Sequence, residues 1–184
     1  MKCFTTFLLL IFCTSIQAGS LLSNLRYGVT LLSQNITFDI DSGTGVQSDS
    51  QSSSGFAVYA EKFYHQKYRF SGSVGLVSHT GSKIVTTTLS ADYLYPIDGR
   101  TALYGGLAAG GAGQQYEGAS LSDMSLGLLY GGQLGVLFFI NNHLTIDLAY
   151  RLRSANLEAN VAANSSLITT TSLDEVALGL VINF

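Results

Sequence analysis

The chain has 184 residues, 47% of them hydrophobic and only 11% charged, with a formal net charge of −3. Soluble domains carry about 25% charged residues, so an ordinary water-facing surface is excluded, and the acidic balance leaves no basic footprint for nucleic acid. After the first twenty positions the apolar runs never approach the roughly 18 residues of a spanning helix, and the high hydrophobicity with low net charge excludes disorder.

Residues 1–18 read as a secretory signal peptide, with Lys2 as the positive end and an apolar stretch at 4–12. Ser15-Ile16-Gln17-Ala18 offers a small residue at the cut, leaving residues 19–184 as the mature chain. Cys3 and Cys13 both lie in the removed segment, so an exported chain without disulfides is expected. Phe12 stands before Cys13, where a lipoprotein would need a small residue.

The mature chain alternates apolar and polar residues with a period of two, the signature of half-buried strands. Segment 25–38 opens with Leu25, Tyr27, Val29 and Leu31 opposite Arg26, Gly28 and Thr30. A long polar loop is expected at 39–54. Segment 55–63 sets Phe56 and Val58 against Ala57, Tyr59 and Glu61, and segment 68–79 sets Tyr68, Phe70, Val74 and Leu76 against Arg69, Ser71, Ser73 and His79. Segment 84–95 opposes Val85, Leu89 and Tyr93 to Thr86, Thr88 and Asp92. Segment 101–116 is rich in Gly and Ala, so its facing is open. Segment 122–139 places Leu126, Leu128, Tyr130, Leu134 and Val136 opposite Ser125, Gly127, Gly131, Gln133 and Gly135. Segment 144–153 collects Asp147, Arg151 and Arg153 on one face, which a helix would scatter. A second long loop is expected at 156–173 before the final strand at 175–184.

Eight strands joined alternately by tight turns and longer loops predict an all-β fold, an antiparallel up-and-down transmembrane barrel. Lipid cannot satisfy a free backbone group, so membrane strands must close without an edge. The barrel would occupy residues 19–184 as one domain. The aromatics Phe63, Tyr64, Tyr68, Phe70, Tyr93, Tyr95, Tyr104, Phe138, Phe139 and Phe184 fall near the tight-turn ends, where a headgroup-level belt is expected. A soluble barrel or sandwich is the competing class. It would have to turn Leu144, Ile146, Leu148, Leu178, Leu180 and Ile182 toward a core.

A terminal Phe184 preceded by Val176, Leu178, Leu180 and Ile182 resembles the assembly signal read by the barrel-assembly machinery of Gram-negative bacteria. Residues 24–184 as a whole resemble the small eight-stranded OmpA-like and OmpX-like outer membrane proteins. The resemblance implies an outer membrane location, contact with its lipids and lipopolysaccharide, short periplasmic turns and longer outer loops. That family includes adhesins, tethering barrels, small pores and lipid A-modifying enzymes, so it implies an architecture and not one role.

The lumen is expected to hold Arg26, Glu61, Arg69, Asp92, Asp147, Arg151, Arg153 and Glu175, a set balanced between bases and acids. Unpaired buried charge is costly, so these residues predict an ion-paired plug. The alternative is a narrow passive pore, with Gly127, Gly131 and Gly135 either receiving large side chains or leaving a wet gap. Catalysis is not expected. The lipid A deacylases carry a His-x-Ser-Asn run, whereas Thr80, Gly81 and Ser82 follow His79 here. Asp39-Ile40-Asp41-Ser42-Gly43 begins like a calcium loop but lacks its later ligands, and no cofactor is expected. The loops at 39–54 and 156–173 lack a basic cluster and read as solvated segments.

Overall fold

A computed structural model describes residues 25–41, 46–116, 124–161 and 166–183. The predicted signal segment and Phe184 lie outside the described residues. Eight strands follow in chain order: β1 (Arg26–Asp41), β2 (Val46–Tyr64), β3 (Tyr68–His79), β4 (Ser82–Pro96), β5 (Thr101–Tyr116), β6 (Met124–Phe139), β7 (Leu144–Val161) and β8 (Ser166–Ile182). Each pairs antiparallel with the next, and β8 closes on β1, giving an up-and-down barrel without crossovers.

The period-two alternation sorts side chains as expected, with the apolar set outside. Val29, Leu31, Phe56, Val58, Leu89, Leu107, Leu126, Leu128, Leu134, Leu178 and Leu180 are all exposed. The Gly/Ala-rich β5 resolves by the same parity, with Leu103 and Leu107 outward and Ala102, Tyr104, Ala108 and Ala112 inward. No described helix is long and apolar enough to cross a membrane.

The connections differ from expectation. The predicted long loops at 39–54 and 156–173 are mostly strand: β1 runs to Asp41 and pairs with β2 from Val46, and β7 runs to Val161 and pairs with β8 from Ser166. Ladder hydrogen bonding needs no apolar outer face, so a Ser/Thr-rich segment can prolong a hairpin into water. Ser33↔Ser54 and Asn35↔Ser52 continue the outer face of β1 and β2 above Leu31↔Phe56. Inward residues Ile36, Leu157 and Leu173 fill the base of that upper part, whereas residues 47–50 are exposed on both faces. β3 ends at His79, so above Ser54 strand β2 pairs with β1 alone, and β2, β1, β8 and β7 form a taller four-stranded wall.

The opposite end is tight. Lys67 N–H donates to Tyr64 O at 3.2 Å across a turn whose central residues His65 and Gln66 have φ of 50° and 57°. Positive φ at both central positions is the hairpin turn that matches strand twist.

Candidate functional site in the barrel interior

The interior is layered. At the turn end, Leu94, Ala102 and Leu137 pack with the half-buried Phe63 and Phe139, whose rings meet edge-to-face at 6.5 Å. Near the loop end, Ile36, Ile84, Ala112, Leu129, Ala155, Leu157 and Leu173 form a second apolar layer. Alternation places charged and amide side chains between them.

The lower polar cluster is built around Arg69 on β3. Its Nε donates to Asp92 Oδ2 on β4 at 2.8 Å, and its Nη1 reaches Asp147 Oδ2 on β7 at 2.9 Å and Glu61 Oε2 on β2 at 3.4 Å. The remaining oxygens draw in two more strands. Tyr104 on β5 donates its hydroxyl to Asp147 Oδ1 at 2.8 Å, and Gln133 on β6 donates to Asp92 Oδ1 at 2.6 Å. Arg69 also lies over Tyr104, its guanidinium carbon 3.9 Å from the ring centre. One network thus bridges six strands.

The upper cluster centres on Glu175 of β8. Arg153 Nη1 lies 3.1 Å and Arg151 Nη1 3.6 Å from Glu175 Oε2. Gln34 on β1 donates to Glu175 Oε1 at 2.7 Å, and its Oε1 faces His79 Nε2 at 3.0 Å. His79 is therefore held inside the barrel against an amide. Between the two clusters, β3 and β4 carry hydroxyl pairs, Ser71 with Ser90 and Ser73 with Thr88, each at 2.6 Å.

Of the charges named from the sequence, Arg26 stands apart at the turn-end mouth, over the Phe63 ring at 4.6 Å. The others divide unequally. Arg69 faces three carboxylates below, whereas two guanidiniums share one carboxylate above. Gln34, Gln133, Tyr59 and Tyr104 complete the interior; parity set Tyr59 and Gln133 on the polar face, whereas Gln34 and the inward facing of Tyr104 escaped the sequence reading. Tyr104, Phe63 and Phe139 correct the predicted headgroup belt, because their rings turn inward. The exposed Tyr64, Tyr68, Phe70, Tyr93, Tyr95 and Phe138 keep that outer position, with Tyr27 beside them. Val176, Leu178, Leu180 and Ile182 of the proposed assembly signal all face outward on β8.

Glycines fit the large rings. A Cβ on Gly28 would lie 2.5 Å from Tyr59 ring atoms, and one on Gly135 would meet both Leu148 O at 2.4 Å and Tyr104 Cζ at 2.5 Å. At Gly131 the backbone alone decides: a Cβ there would strike Leu152 and Arg153. Among the described residues, no group of His, Cys, Asp and Glu has a metal-holding arrangement.

The barrel is similar to solved outer membrane proteins. Neisserial surface protein A (NspA) aligns over 85% of this chain and 97% of its own, with a TM-score of 0.62 at 14% identity. The fold is that of the eight-stranded outer membrane barrels. AlkL, solved in DMPC bilayers, shares this barrel fold over 88% of this chain and 90% of its own, with a TM-score of 0.58 at 14% identity. OprG from Pseudomonas aeruginosa shares it over 88% and 97%, with a TM-score of 0.51 at 16% identity. No family model and no curated protein matches the sequence.

Proposed function

We propose that the protein is an outer membrane barrel with a structural or surface-interaction role, closed to solutes by its ion-paired interior and without catalysis. The six-strand network around Arg69 supports this reading most directly, since it crosses the lumen where a pore would need open space. The apolar layers above and below the charged clusters support it further. The exposed leucines, valines and phenylalanines suit acyl chains, and the one-sided tyrosine belt suits the headgroup level. On this reading the tight turns face the periplasm, the taller wall faces outward, and lipopolysaccharide surrounds its base. Export through a cleaved signal at residues 1–18 and insertion by the barrel-assembly machinery complete the proposal.

Refolded protein in a planar bilayer is expected to show no discrete conductance steps. Reproducible steps would favour a narrow passive pore. That second reading draws on the half-buried inward Ser71, Ser73, Ser90, Gly127 and Gly131, which leave the β3–β6 side of the lumen less filled. A lipid A-modifying role is less supported, because His79 is buried against Gln34, and unchanged lipid A masses with and without the gene are expected.

A further inference from the structure

The turn end of the barrel carries a half-open depression above its packed apolar layer. A cavity of about 820 Å³ opens between the three tight turns, within the roughly 300–1,000 Å³ of small-molecule sites. Its floor is apolar, made by Phe63, Phe139 and Leu94, and its wall carries Arg26, Lys67 and Arg100. The turns that carry Lys67 and Arg100 are fixed at the backbone. Lys67 O accepts Leu94 N–H at 2.7 Å, and Arg100 O accepts Phe139 N–H at 2.7 Å, so two of the turns are pinned to the strands that supply the floor. Arg26 is spread over the Phe63 ring.

Among the described lining residues the one carboxylate is Asp98. It accepts the Arg100 backbone N–H at 2.7 Å, and that bond holds its carboxyl below the usual carboxylate range. Asp98 is thus ionised but engaged within its own turn. Among the described lining residues, three cations thus stand against one carboxylate beside an apolar floor. An inorganic anion would leave the floor wet, and a neutral apolar molecule would leave the cations unmatched.

We propose that this vestibule binds an amphipathic anion, a carboxylate, sulfonate or phosphate carried on an aromatic or short apolar body. The site lies outside the interior charge clusters and does not depend on whether the lumen conducts.

The test uses the mature chain in zwitterionic lipid nanodiscs, followed by amide NMR during titration with naphthalene-2-sulfonate. Saturable one-site shifts are expected at Lys67, Arg100, Thr101 and Asn183, with sulfate binding far more weakly and naphthylmethylammonium leaving these amides unmoved. Lys67→Gln with Arg100→Gln is expected to weaken binding by roughly tenfold, with the remaining spectrum and the heat-dependent gel shift retained. Lys67→Gln alone, in an exposed turn, gives a smaller loss should the double variant fold poorly. Repetition in discs containing phosphatidylglycerol separates the sources: competition assigns a lipid headgroup, and an unchanged affinity assigns a soluble anion. The proposal is overturned by the absence of saturable shifts, by equal binding of the cation, by undiminished affinity in the variants, or by shifts confined to lipid-facing residues.

Discussion

Arg69 and Asp147, 78 positions apart in sequence, meet at 2.9 Å inside the barrel. They stand on β3 and β7, nearly opposite each other in a ring of eight, so the bond spans the lumen. The residual lone pairs of Asp147 and Asp92 are filled by Tyr104 and Gln133, which turns a single ion pair into a brace across six strands.

Replacing Arg69 by Met would leave Glu61, Asp92 and Asp147 buried together without a cation. Breaking a buried pair by removing one partner costs about 3–5 kcal/mol, and this arginine serves three carboxylates. A loss of at least that order is expected in urea unfolding from detergent or lipid. Arg69→Lys should recover part of it. Unchanged stability in both variants would contradict the brace.

Gly28 and Tyr59 are expected to be coupled. Gly28→Ala places a methyl whose three nearest atoms all belong to the Tyr59 side chain, so overpacking should cost about 1–3 kcal/mol. In a Tyr59→Ala background the same change should cost much less. Additive losses in the double-mutant cycle would show that the ring does not rest on this glycine.

Leu128 is among the most exposed large apolar side chains, at 77%. In a water-soluble barrel Leu128→Arg would be neutral or would improve solubility. On a lipid-facing strand it is expected to destabilise the barrel by about 2–4 kcal/mol near the midplane and less toward the interfaces. Stability measured in vesicles decides between the two environments.

The first tight turn holds two side-chain-bearing residues at positive φ. Gln66→Gly removes a Cβ penalty of about 1–2 kcal/mol and returns part of it through the freer unfolded chain. A net gain of about 0.5–1 kcal/mol in unfolding from vesicles is expected. A loss would mean that the Gln66 side chain contributes through contacts.

Deletion of Phe184 is expected to lower the amount of heat-modifiable barrel in the outer membrane. Refolding of the purified chain in detergent should be nearly unaffected, since the outward apolar residues of β8 remain. Normal assembly in cells would dismiss the proposed signal.

Strand identity, and facing in every strand but the Gly/Ala-rich β5, were legible in the sequence because alternation is a local property. The run Glu175, Ala177, Gly179 and Val181 against Val176, Leu178, Leu180 and Ile182 needs no tertiary information. Strand ends were less legible. Segments 39–54 and 156–173 are polar because they leave the apolar belt, and polarity also describes loops. In 156–173 the inward Leu157 and Leu173 continue the alternation of the core, whereas residues 47–50 are exposed on both faces and offer no such mark. The charges could be counted but not grouped. Which carboxylate meets Arg69 follows from the tilt of the strands and the closure of β8 on β1, and neither is a property of neighbouring residues. Tyr104 was misplaced for a related reason: a tyrosine near a strand end suits headgroups as well as a buried carboxylate, and only its parity on β5 separates the two.

The wall formed by β2, β1, β8 and β7 separates two kinds of constraint. Its lower inner side chains fill the barrel, whereas Ser50 and Ser54 face outward on a ladder held by backbone bonds. Such positions can be exchanged one at a time without shifting register. The molecule can therefore alter the face it presents to its surroundings over generations while every strand keeps its neighbours.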